Sequence, residues 1–116
     1  MSINRIEVGD RMSQAVIYNG MVYTAGQVAL TKGGSSYGEQ TQEILGQIDD
    51  LLTKAGTDKS KLIRATIWIT DMARFDEMNE VWDAWVSPGN TPARACVESK
   101  LAHPKFEVEI MVEAAI

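Results

Sequence analysis

The sequence predicts an α+β two-layer sandwich, in the order ββαβαββ, with two helices on one face of a sheet. Two stretches repeat apolar residues at helical spacing, three alternate with the period of two that belongs to strands, and two further runs are β-rich. At 116 residues the chain has room for one core. A single domain spanning residues 1–116 is the expectation, because no linker, repeat or low-complexity tract interrupts it.

Ser13–Tyr18 and Met21–Ala25 flank Asn19-Gly20, a pair whose tolerance of positive φ suits a two-residue hairpin turn. After the short Gly/Ser stretch from Lys32 to Gly38, Ser36 and Glu39 have the spacing of a capping box. Ile44, Leu45, Ile48, Leu51, Leu52 and Ala55 then form a helical stripe, which Gly56 ends. Ile63, Ala65, Ile67 and Ile69 alternate with Arg64, Thr66, Trp68 and Thr70, the pattern of a strand, and Trp68 suggests that its second face is covered too. A second helical stripe follows through Phe75, Met78, Val81, Trp82, Trp85 and Val86, with Asp71 as the expected N-cap and Pro88-Gly89 as the stop. Its tryptophans read as core packing. Ala93–Ser99 and Glu107–Ala115 complete the set as strands around a loop holding His103 and Pro104.

Two helices on one side of a sheet leave the other side uncovered. The strands carry Ile, Trp, Met and Val on both faces, more than two helices can bury, so a homo-oligomer is expected. Composition restricts the chemistry further. One Cys and one His exclude a disulfide framework or a zinc cluster within one subunit, so no metal and no cofactor are expected. A net charge of −5 opposes sequence-independent nucleic-acid binding. No apolar run approaches a membrane span, and residues 1–10 lack the apolar core of a signal peptide, so a cytoplasmic protein without a membrane partner is expected.

No P-loop, dinucleotide fingerprint or catalytic triad is present. His103 reads as a solvent-exposed loop residue. The informative segment is Pro92 to Glu98, where Arg94, Cys96 and Glu98 share one strand face and Ala95 and Val97 the other. Arg94 either pairs with a carboxylate such as Glu109 across an oligomer interface or grips a substrate carboxylate with its planar fork. Cys96 reads as a small buried, inert thiol. Glu107, Glu109, Met111 and Glu113 share one face of the last strand, and a glutamate held there in a partly dry cleft would have a raised pKa and accept a proton from water.

These residues resemble the RidA (YjgF/UK114) family along essentially the whole chain. Ser13-Gln14-Ala15 matches its Ser-Gln-Ala, and Thr24-Ala25-Gly26-Gln27 its Ser-Gly-Gln turn. Pro92-Ala93-Arg94 with Cys96-Val97-Glu98 matches the signature Pro-Ala-Arg-x-x-Val, and Val108-Glu109-Ile110 its closing Ile-Glu-Ile. The resemblance implies a chorismate-mutase-like fold, a homotrimer with clefts between subunits, and hydrolysis of 2-imino or 2-enamino acids to 2-oxo acids and ammonia. It implies that Arg94 binds the substrate carboxylate, that Cys96 lines the pocket, that Glu109 activates water, and that Gly26 and Gln27 form the adjoining wall. The family's Gly-Pro-Tyr is here Asp10-Arg11-Met12, and its pocket serine is Ala25. Met12 and Ala25 therefore make the expected pocket more apolar. The alternative is a non-catalytic trimer that senses small carboxylates such as 2-oxo acids. A ribonuclease or translation inhibitor fits the acidic chain poorly.

Overall fold

The computed structural model describes residues 2–116. Its strands are β1 (Asn4–Val8), β2 (Ser13–Tyr18), β3 (Met21–Thr24), β4 (Gln27–Val28), β5 (Leu62–Ile69), β6 (Ala93–Glu98) and β7 (Val108–Ala115). Helices α1 (Tyr37–Ala55) and α2 (Phe75–Trp85) lie between β4 and β5 and between β5 and β6. The strands form one sheet in the order β1-β2-β3-β7-β5-β6, with β4 also paired to β7.

The connections explain why both helices share a face. β4 and β5 each run antiparallel to β7, hence parallel to one another, and β5 runs parallel to β6. Each helix thus links parallel strands, and both steps move across the sheet in the same direction. Crossovers of one hand then place both helices on the same side. The core lies between: Ile44, Ile48 and Leu52 of α1 and Met78 of α2 are fully buried, as are Ala65, Ile67 and Ile69 of β5 and Val108, Ile110 and Ala114 of β7.

Local signals act where their chemistry requires. Asn19 and Gly20 have φ of 53° and 75°, the left-handed pair of the hairpin between β2 and β3. Ser36 accepts from the Glu39 amide at 3.1 Å, and Gly56 closes α1 in the left-handed region. Trp82 is buried, its ring centroid 5.4 Å from that of Trp85.

Several expectations need correction. The order contains two further strands, β1 and β4. Most of β1 is exposed and only Ile6 reaches the core, so no apolar alternation marks it; pairing with β2 makes it a strand. Asp71 does not cap α2 directly. It accepts from the Ala73 amide at 2.9 Å and caps a 3₁₀ turn, Met72–Arg74, that leads into the helix. Ile63 is half exposed, because a register shift between Leu62 and Arg64 turns Leu62 into the core instead. Glu107 precedes β7 and does not join the face of Glu109; its carboxylate accepts from the hydroxyls of Tyr37 and Thr70.

The cap of α1 yields a direct test. Ser36→Ala should lower the unfolding free energy by about 1 kcal/mol, measured by urea denaturation, with the fold unchanged.

Candidate functional site

The open face of the sheet is built by the outward residues of β7. Since Val108, Ile110, Val112 and Ala114 face the helices, Glu109, Met111 and Glu113 face away from them. Glu109 is paired with Trp68 of β5 on one side and with Val28 of β4 on the other. Beside it opens a cleft of about 480 Å³, lined by Met12, Gln14, Gly26, Gln27, Val28, Leu30, Gln47, Ala102, Phe106 and Glu109. Among the described residues, Glu109 is its only ionisable lining group.

Gly26 explains how the carboxylate fits. A Cβ at this position would lie 2.0 Å from Oε2 of Glu109 and 2.8 Å from its Cδ, so the carboxylate occupies space that any other residue would take. No hydrogen bond or ion pair to this carboxylate occurs among the described residues, and burial pushes its pKa above the ordinary carboxylate range. A partly desolvated, unpaired carboxylate facing a cavity can take a proton more readily than a free one.

The wall behind the cleft is a chain of three amides. Gln47 Nε2 donates to the Val28 carbonyl at 3.0 Å and to Gln27 Oε1 at 3.2 Å. Gln27 Nε2 donates to the Ala25 carbonyl at 3.1 Å and to Gln14 Oε1 at 3.0 Å. Gln27 is buried, so its amide supports the wall rather than reaching a ligand. Ala25 lies behind this wall, contributing its carbonyl to Gln27, and its side chain does not line the cleft.

Arg94 and Cys96 lie elsewhere. Across the parallel pair, Arg94 stands beside Ala65, Cys96 beside Ile67 and Glu98 beside Ile69, so these three share the helix side of the sheet. Arg94 reaches α2, where it donates to Asn79 Oδ1 at 2.7 Å, with its guanidinium carbon 5.4 Å from the Trp82 ring centroid and 5.8 Å from that of Phe75. Neutral partners hold it. The ion pairs among the described residues, Lys54–Glu7 and Arg74–Glu77, do not involve it. Cys96 packs against the core, and burial pushes its thiol up despite the opposing pull of Arg94. Within one chain, therefore, the sheet separates Arg94 and Cys96 from Gly26 and Glu109.

A groove of about 510 Å³ between the helices is a weaker candidate. Two of its polar groups engage one ring: the Trp85 indole donates to Asp49 at 3.0 Å, and the Lys59 ammonium sits 5.2 Å from the ring centroid. His103 is exposed, its Nδ1 accepting from the Lys105 amide at 3.3 Å. Among the described residues no cluster of His, Cys, Asp and Glu could hold a metal ion, and no helix is long and apolar enough to cross a membrane.

Residues 2–116 match the family model described as Endoribonuclease L-PSP. The chain belongs to the RidA (YjgF/UK114) family. A RutC family protein from Haemophilus ducreyi is 47% identical over 114 residues, covering 98% of this chain and 97% of its own. The RutC family protein YoaB of Escherichia coli is 41% identical over 116 residues, covering both chains completely. The crystal structure of a YjgF family protein from Neisseria meningitidis has a TM-score of 0.95 and 43% identity, covering 99% of this chain and 95% of the other. The two-layer arrangement of this RidA-family chain is thus that of its solved relatives.

Motif reading pointed to Glu109, Gly26, Gln27 and Met12 as neighbours. It missed the lining roles of Gln14, Leu30, Ala102 and Phe106. Gln14 stands within the Ser-Gln-Ala motif and was visible there. Leu30, Ala102 and Phe106 lie in loops, where no periodicity shows which way a side chain faces.

Two measurements test this geometry. Gly26→Ala should keep the fold, because the displaced group is the end of a flexible side chain, but should move the Glu109 carboxyl into solvent; its pKa, followed by carboxyl-carbon NMR, should fall towards the ordinary value. A carboxyl whose pKa is higher in the folded than in the unfolded chain favours the fold at low pH, and that advantage is lost as pH rises through the folded value. Glu109→Gln should therefore lose less stability than the parent as pH rises from the ordinary carboxylate range through the raised folded value, as read from denaturation midpoints.

Proposed function

We propose that this protein hydrolyses 2-imino or 2-enamino acids to 2-oxo acids and ammonia, in clefts formed where copies of the chain meet in a homotrimer. The observation that carries this reading is the unpaired, half-buried Glu109 carboxylate held against Gly26 in a cleft whose other described lining residues are uncharged. Family membership supports it, as does Arg94, an exposed guanidinium held only by neutral partners on the opposite face. A second copy is needed to bring these groups together. Its Arg94 would meet the open face of the first, where Trp68, Met111 and Glu109 are partly exposed.

In this site Arg94 clamps the substrate carboxylate with two parallel hydrogen bonds, and Cys96 beside it lines the pocket. Glu109 accepts a proton from water as the water oxygen adds to the imine carbon, giving a carbinolamine. The same carboxyl returns the proton to nitrogen. The carboxylate then takes the hydroxyl proton and passes it to the departing nitrogen as the C–N bond breaks, so that ammonia leaves and the 2-oxo acid remains. An imine is already electrophilic, so positioning and one general base can supply most of the needed acceleration. The chemistry requires no cofactor, and a cytoplasmic location accords with a small-metabolite substrate.

A second reading, a trimer that binds 2-oxo acids without turnover, is favoured by one specific feature. Met12 lines the cleft where the family carries a tyrosine, so one hydroxyl donor fewer faces the reacting atoms. Nucleic-acid cleavage is a poor match for a chain of net charge −5 whose cleft offers only a carboxylate.

Release of ammonia from enzymatically generated 2-imino acids tests the proposal. Arg94→Ala and Glu109→Gln should each reduce turnover by at least about a hundredfold, the scale of losing a positioned acid–base group. Co-expressed and co-assembled, the two variants should recover about a quarter of the parent activity, since random pairing joins an intact Arg94 to an intact Glu109 at that frequency. Recovery of nothing from verified mixed oligomers would refute a shared site. Saturable 2-oxo acid binding by a parent protein that leaves every imine at its spontaneous rate would establish the sensor instead.

A further inference from the structure

The direction of the three-amide chain carries a consequence for the substrate. An amide can present either its oxygen or its nitrogen, and the choice along this chain is set by two backbone carbonyls, which can only accept. Val28 fixes Gln47 with its nitrogen towards the wall, and Ala25 does the same for Gln27. Gln27 must then donate to Gln14, so Gln14 turns its oxygen inward. The Gln14 amino group has no acceptor among the described residues, and Gln14 lines the cleft.

Its place within the cleft is also defined. Towards one end the cleft shares Glu109 and Ala102 with a shallower depression at Trp68 and Lys100. Towards the other it shares Gln14, Gln27, Leu30 and Gln47 with a depression bounded by Glu7, Asp50 and Lys54. Met12, Val28 and Phe106 complete the lining. Met12 and Leu30 are 52% and 67% exposed, so apolar surface is on offer along the way. A ligand reacting at Glu109 extends its side chain over this apolar stretch towards the Gln14 donor.

We infer that Gln14 is a specificity-determining residue, selecting 2-imino acids whose side chain has an apolar stem ending in an uncharged oxygen acceptor, such as an ester or amide carbonyl. An uncharged end is specified because Lys54 is paired with Glu7 at 2.7 Å, which leaves the Asp50 carboxylate to border the Gln14 end and repel an anionic terminus. This rests on the imine-hydrolase or 2-oxo-acid-binding reading of the same cleft.

The test compares two product analogues of equal length by calorimetry, the 5-methyl ester of 2-oxoglutarate and 2-oxoheptanoate. Their affinity ratio isolates the side-chain oxygen. Gln14→Glu keeps an oxygen to accept from Gln27 but turns the cleft-facing donor into an anion; Gln14→Met is similar in shape, has no donor and adds no charge. Parent-like thermal stability is expected of Gln14→Glu, with the ester-to-heptanoate preference reduced about fivefold or more, the worth of one hydrogen bond. Gln14→Met should reduce it about fivefold, and serves alone should the charged variant fail to fold. An unchanged ratio in the folded variants, or equal weakening of both ligands, overturns the role of Gln14 and leaves the function reading standing. A parent protein that binds neither analogue and hydrolyses no imine overturns that reading and this inference with it.

Discussion

The packing of one face of β7 onto α1 and β5 organises the rest of the molecule. Val108, Ile110, Val112 and Ala114 are essentially inaccessible to water, and their burial gives a large share of the apolar stabilisation of a chain this small. Because side chains alternate along a strand, the same packing drives Glu109, Met111 and Glu113 outward. A slip of one residue would bury the glutamates and expose the valines, so the register is strongly determined. The carboxylate of the cleft is therefore held in place by a hydrophobic core on the opposite side of the sheet.

The second constraint is the close approach at Gly26. A carboxylate raised in pKa by burial would ordinarily relax towards water, and the space left by a missing Cβ lets Glu109 lie against backbone instead. The amide chain of Gln14, Gln27 and Gln47 then ties β2 and β4 to α1, so the wall opposite the carboxylate is made of groups with fixed directions. Stability and chemistry are coupled here: the buried Gln27 is satisfied by its neighbours, and satisfying it leaves one donor pair on Gln14 for something outside the chain.

Arg94 shows the opposite design. It sits near the sheet edge, stacked over Phe75 and Trp82 and tethered by Asn79, with its charge left uncompensated. An internal ion pair would have explained it without a ligand. Its present partners orient the planar fork without neutralising it, which suits a group that meets an anion brought from elsewhere.

Much of this was legible in the chain itself. Helical stripes in α1 and α2, the Asn19-Gly20 turn, the Ser36 cap and the alternation in β5 and β7 are local patterns whose physics acts over a few residues, and the Thr24–Gln27 motif marked two residues that line the cleft. Local pattern could not show β1, whose strand identity comes from pairing with β2, nor the irregularity that exchanges Leu62 for Ile63 in the core. It also could not show that Arg94 and Glu109 lie on opposite sides of the sheet. That fact depends on β5 and β6 running parallel in one register while β5 and β7 run antiparallel in another, a relation between distant segments. Sequence alone determined which residues alternate; only tertiary pairing decided which alternating faces coincide, because a strand's two sides become distinguishable only when one of them is packed.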